Sequence, residues 1–119
     1  MKWDVHPNHL EQFKRALAYA EQRTGVKFRG KRIRYVQVNS PLRQGRWWYV
    51  ERPDGRVSWW ASPNGTVTQI VGPQGQHNPQ FDKSCRHEIG HLIAFQLKVP
   101  LAQHHEWLRA RGLDYVRSQ

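Results

Sequence analysis

The segment RHEIGHLIAF, residues 86 to 95, carries His87, Glu88 and His91 within five positions. On an α-helix, residues four apart lie one above the other, so the two imidazoles aim at one point while Glu88 sits about 100° around from His87. Two imidazoles with a carboxylate beside them are the beginning of a zinc hydrolase site: the histidines hold the metal and the carboxylate serves as general base. Zinc takes imidazole nitrogen at roughly 2.0–2.1 Å, and a catalytic site uses three protein ligands and leaves a fourth position for water. A third ligand is therefore required. Candidates on a later element that folds back over this helix are His104, His105 and Glu106. Adjacent helical residues point about 100° apart, so only one of the two histidines reaches a common metal.

The elements that must position these groups can be read from periodicity. Phe81, Cys85, Ile89, Leu92 and Phe95 form an apolar stripe on a helix over 80–97, with Asn78 as its cap and Pro79 in its first turn. Val99-Pro100 breaks that helix, and LAQHHEWLRAR forms another that Gly112 terminates. Near the N-terminus, Asn8 and Glu11 make a capping-box pattern ahead of Leu10, Phe13, Leu17 and Ala20, and Thr24-Gly25 closes that helix. Between the helices, RIRYVQV, RWWYVER, RVSWWAS and TVTQIV read as strands, and the PDG and PNG turns at 53–55 and 63–65 suggest an antiparallel meander. The expected fold is α+β: an N-terminal helix, a three- to four-stranded antiparallel sheet, the HExxH helix and a C-terminal ligand-bearing helix, in one domain over 1–119.

Composition bounds the chemistry further. With a single cysteine, Cys85, the chain can build neither an internal disulfide nor a Cys-rich zinc ribbon, so a metal site must use histidines and carboxylates. Cys85 lies some 200° around the helix from His87 and is expected in the core. No apolar stretch approaches the roughly 20 residues of a membrane span, and no signal core precedes the first helix. The expected location is the cytoplasm, or the interior of a virion if the chain is phage-encoded. Nineteen Lys and Arg against nine Asp and Glu give a formal charge of +10, which favours polyanionic partners through long-range attraction and counterion release. Ten of the cations fall between 23 and 56, with only Glu51 and Asp54 as acids there. Arg32, Arg34 and Arg46, with Trp48 as a stacking platform, are the candidate contacts to DNA or RNA. Alternatively, one Trp of each WW pair faces the core and the other covers it or meets a protein partner.

HEIGHLIAFQLKVPLAQHHEW resembles the SprT-like metallopeptidases, zincins whose HExxH helix is followed after a dozen or so residues by a third His and then an aromatic residue. Twelve residues separate His91 from His104, and Trp107 follows. The resemblance implies that His87, His91 and His104 bind Zn2+ and that Glu88 is the general base. His105 stands where that family usually has Gly, and residues 1–119, with Cys85 as their one cysteine, hold no counterpart of the family's Cys-rich zinc ribbon. A metzincin would need Gly at Ala94 and His at Leu97. The reach of the last helix agrees with His104, which sits one turn from both Leu101 and Leu108 on the side turned inward, while His105 is rotated toward the cleft rim.

The reading is a zinc-dependent endopeptidase, acting on a protein or peptide substrate that pairs with an edge strand, including proteins associated with nucleic acid. Glu88 takes the proton of the attacking water and passes it to the leaving amine. Two other classes stay open: a zincin-fold assembly component, for example of a phage particle and docked to other proteins through its Trp-rich sheet, and a basic nucleic-acid-binding module with a closed, four-ligand structural zinc.

Overall fold

The computed structural model describes residues 1–38, 58–70 and 81–113. They form β1 (Lys2–Asp4), α1 (Pro7–Thr24), β2 (Arg32–Val38), β3 (Ser58–Ala61), β4 (Thr66–Ile70), α2 (Phe81–Gln96), a 3₁₀ turn (Leu101–Gln103) and α3 (His104–Arg109). The expected strand RWWYVER, the PDG turn, and Asn78 and Pro79 lie outside the described residues.

The class is α+β as expected, but the sheet is mixed rather than antiparallel. Its order is β1-β2-β4-β3, with β1–β2 and β2–β4 parallel and only β3–β4 antiparallel. One of the two parallel pairings originates at the N-terminus; the other sets β4 beside β2 with the β3–β4 hairpin on its outer side. Lys2, Trp3 and Asp4 pair with Arg32, Ile33 and Arg34, and the 18-residue α1 between them returns the chain to the same end of the sheet, as a parallel crossover requires. The PNG turn does make a hairpin: Ser62 N–H donates to Thr66 O at 2.8 Å and Gly65 N–H to Ser62 O at 3.1 Å. Gly65 holds φ +90° directly against the Arg32 carbonyl, where a Cβ has no room.

α1 starts two residues earlier than the capping-box pattern indicates. His6 is its cap, accepting Asn8 N–H on Nδ1 at 3.1 Å, and Pro7 occupies the first turn, where its fixed φ and missing N–H cost nothing. Gly25 closes α1 in the left-handed conformation, as the sequence indicates.

The core is a single apolar cluster. Phe13, Ala16, Leu17 and Ala20 of α1 meet Ile33 of β2, Val67 of β4, Ala61 of β3, and Cys85, Ile89, Leu92 and Ile93 of α2. Leu108 and Leu113 close it from the C-terminal side. α2 packs against α1, β3 and α3, so the helix carrying the HExxH residues is held on several sides. Trp59 packs against the core, stacked on Tyr35 with ring centroids 5.7 Å apart. No helix among the described residues is long and apolar enough to cross a membrane.

Candidate metal centre

Ser84, His87, Glu88 and His91 occupy one side of α2 and are all buried. The spacing legible in the sequence brings the two imidazoles together, His87 Nε2 and His91 Nε2 lying 3.1 Å apart with rings perpendicular. Glu88 follows His87 directly and is 3% exposed.

α3 delivers two more imidazoles, and they do different things. The exposed His105 ring lies 5.3 Å from His87 and 5.2 Å from His91 between centroids. His87, His91 and His105 each offer a nitrogen within 4.8 Å of the others. His104 is 1% exposed and stands behind His91, with its Nδ1 at 2.9 Å from His91 Nδ1 and its Nε2 at 2.8 Å from the Val99 carbonyl. The expectation that His104 turns inward is met. The nitrogen set suited to a shared ion, however, contains the rim residue His105 and not His104.

This donor set fits a first-row cation. In a tetrahedral site with nitrogen at roughly 2.0–2.1 Å, neighbouring ligand atoms are about 3.3 Å apart, close to the 3.1 Å between the two Nε2 atoms. Three atoms no more than 4.8 Å apart share a point within about 2.8 Å of each, so the imidazoles need close in by less than about 1 Å to ligate. His105, being exposed, has the freedom to do so.

The electrostatics favour neutral imidazoles. Burial, then the neighbouring His87, His104 and His105, push the His91 pKa down to about 2. Burial also lowers the pKa of His104, against the opposing effect of its hydrogen bond to the Val99 carbonyl. Cys85 is fully buried in the core, and burial followed by Asp82 and Glu88 raises its thiol pKa. It stays protonated and takes no part in the cluster, as expected from its side of the helix.

The approach of α3 to α2 depends on a small residue inside the motif. Gly90 faces α3, where Leu108 and Leu113 fill the space a side chain would take. Beyond α2, Lys98 has φ +60°. Val99 N–H donates to Ala94 O and Lys98 N–H to Phe95 O, both at 3.0 Å, the paired bonds of a Schellman helix end. That reversal, followed by the 3₁₀ turn, sets the phase with which His104 and His105 meet α2. Two partners of the cluster are main-chain groups without any sequence signature: the Val99 carbonyl, and the Leu113 carbonyl at 3.1 Å from His87 Nδ1.

Of the proposed nucleic-acid contacts, Arg46 and Trp48 lie outside the described residues. Arg34 is exposed on β2 and paired with Asp4 at 3.7 Å. Arg32 lines a separate groove of about 410 Å3 together with Phe28, Arg29, Lys31, Leu92 and Phe95.

No protein-family model, curated protein or solved structure matches this chain.

Proposed function

We propose that this chain is a zinc-dependent metallopeptidase whose metal is held by His87, His91 and His105, with Glu88 as general base. The observation that carries the reading is the convergence of two buried Nε2 atoms at 3.1 Å with an exposed third imidazole in reach, on a helix whose Glu88, directly after His87 in the chain, is also buried. Three nitrogen ligands match the donor count of catalytic zinc, which keeps one position open, whereas structural zinc is closed by four. Bound zinc supplies Lewis acidity toward water and an amide carbonyl.

The rest of the chemistry falls to the chain. His87 and His91, fixed on α2, set the direction from which a substrate carbonyl approaches. Glu88 accepts the proton of the attacking water and returns it to the leaving amine. His105, at the rim, lies where a bound peptide passes. An extended substrate is read by main-chain pairing along a sheet edge, and β3 is the edge strand that packs against α2.

The test is metal content together with cleavage of an unfolded, fluorescently labelled protein. The purified chain is expected to carry about one zinc and to cleave. Glu88→Gln is expected to keep the zinc and lose the cleavage. Cleavage undiminished in Glu88→Gln, or no zinc in the intact chain, refutes the reading. Stoichiometric zinc without cleavage of any unfolded substrate transfers the site to an assembly role.

A further inference from the structure

We propose that His104 is a positioning residue, one that fixes the tautomer of His91 and thereby turns the His91 Nε2 lone pair toward the metal position. The inference rests on the metallopeptidase reading and concerns a residue that binds no metal in it.

Protons can be counted along three groups. A carbonyl oxygen only accepts, so His104 Nε2, 2.8 Å from the Val99 carbonyl, carries a hydrogen. In a neutral imidazole the other nitrogen is then an acceptor. His104 Nδ1 lies 2.9 Å from His91 Nδ1, so the hydrogen between them belongs to His91. His91 Nε2 is left as a lone pair, and it faces His87 Nε2 at 3.1 Å. In its neutral form His87 reaches the same state by an independent route, because its Nδ1 lies 3.1 Å from the Leu113 carbonyl and donates there. Two lone pairs thus face each other in a buried site, an arrangement that a cation between them relieves.

The surroundings hold this relay in place. The Phe95 ring stands edge-on to His104 with centroids 4.6 Å apart, and the Val99 carbonyl is presented by the Schellman reversal at the end of α2. Both nitrogens of His104 are occupied, so it cannot also ligate without giving up one of these bonds. Outer partners that orient a ligating histidine in this way are worth roughly 10–100-fold in metal affinity.

Two variants and one spectroscopic measurement test the assignment. His104→Leu keeps volume and removes the acceptor; His104→Asn keeps an acceptor oxygen near the Nδ1 position. Zinc affinity, measured by chelator competition, is expected to fall about 10–100-fold in His104→Leu and to be largely restored in His104→Asn. Imidazole nitrogen-15 shifts of the metal-free wild type are expected to report His91 protonated on Nδ1, and that preference is expected to vanish in His104→Leu. Unchanged zinc affinity in His104→Leu overturns the proposal, as does an Nε2-protonated His91 in the wild type. Equal and complete zinc loss in both variants also overturns it, marking His104 as a ligand itself. If neither variant folds, the wild-type nitrogen shifts decide alone. If the wild type binds no zinc, the peptidase reading fails, while those shifts still judge whether His104 sets the tautomer.

Discussion

Leu108 of α3 packs directly onto Gly90 of α2: a Cβ at Gly90 would stand 2.5 Å from Leu108 Cδ2 and 3.3 Å from Leu113 Cδ1. The glycine sits between the two histidines of the motif, so the space it leaves sets how closely α3 approaches the His87 and His91 imidazoles. Gly90→Val is therefore expected to destabilise the fold by about 1–3 kcal/mol through overpacking and to weaken zinc binding by moving His105 outward. Denaturant unfolding with and without zinc checks both effects. A variant as stable as the wild type with unchanged zinc affinity would show that α3 has room to shift at no cost.

His87→Ala, His91→Ala and His105→Ala are each expected to lose stoichiometric zinc, because two imidazoles alone do not make a three-ligand site. Metal analysis after dialysis measures this. Full zinc retention in His105→Ala with loss in Glu106→Ala would move the third ligand to the carboxylate.

The sequence was most informative where the physics is local. The His87, Glu88, His91 geometry follows from helical pitch alone, and the burial of Cys85, Ile89 and Leu92 follows from the same period. Sheet pairing was not legible. Three residues, Lys2–Asp4, supply a strand too short for any periodic signal, and their pairing with Arg32–Arg34 is one of the two parallel contacts, the other being the long-range pairing of β2 with β4. Which of the two α3 imidazoles has a nitrogen within reach of both His87 and His91 was hidden for a different reason. The sequence reads Leu101 to Arg111 as one helix with Leu101 as an inner anchor, but Leu101–Gln103 is a 3₁₀ turn and Leu101 is 56% exposed. Three residues per turn instead of 3.6 shift the rotational phase of α3. His104 still turns inward, and its nitrogens are then taken by His91 and a backbone carbonyl that no side-chain pattern announces.

Acid should weaken the metal-free protein through His91. Its pKa of about 2 in the fold lies below the ordinary 6.5, so below that ordinary value the unfolded chain binds the extra proton. His91's contribution to stability is complete above pH ~6.5 and is lost as the pH falls from there toward 2, by up to ~1.4 kcal/mol per pH unit. Urea midpoints between pH 8 and pH 4 read the slope. His91→Gln is expected to flatten it, and a slope unchanged in that variant would assign the acid sensitivity to other groups.

Lys98 holds a left-handed conformation at the Schellman position of α2, φ +60°, where glycine is the usual occupant. Lys98→Gly is expected to raise stability by ~0.5–1 kcal/mol, the relief of the Cβ clash exceeding the added freedom of the unfolded chain. Zinc affinity should stay the same. Destabilisation instead would mean that the lysine side chain contributes packing that outweighs its backbone strain.

The groove lined by Phe28, Arg29, Lys31, Arg32, Leu92 and Phe95, among others, is the place to test for the polyanion affinity that a charge of +10 suggests. Neutralising those three cations together is expected to weaken binding to single-stranded DNA and to flatten its salt dependence, since fewer counterions are released. Filter binding from low to moderate salt measures the slope. An unaltered slope would put the contact elsewhere on the chain.

The bond between His87 and the Leu113 carbonyl spans 26 residues, and His105 also belongs to the last stretch of the described fold. A chain still being synthesised through α2 presents two imidazoles without their third partner and without the carbonyl that orients His87. If the cluster holds a metal as proposed, loading would wait until residues 104–113 have emerged and docked. On the proposed metallopeptidase reading, translation that stops short of them would leave a fragment without the third ligand and so without the proposed cleavage.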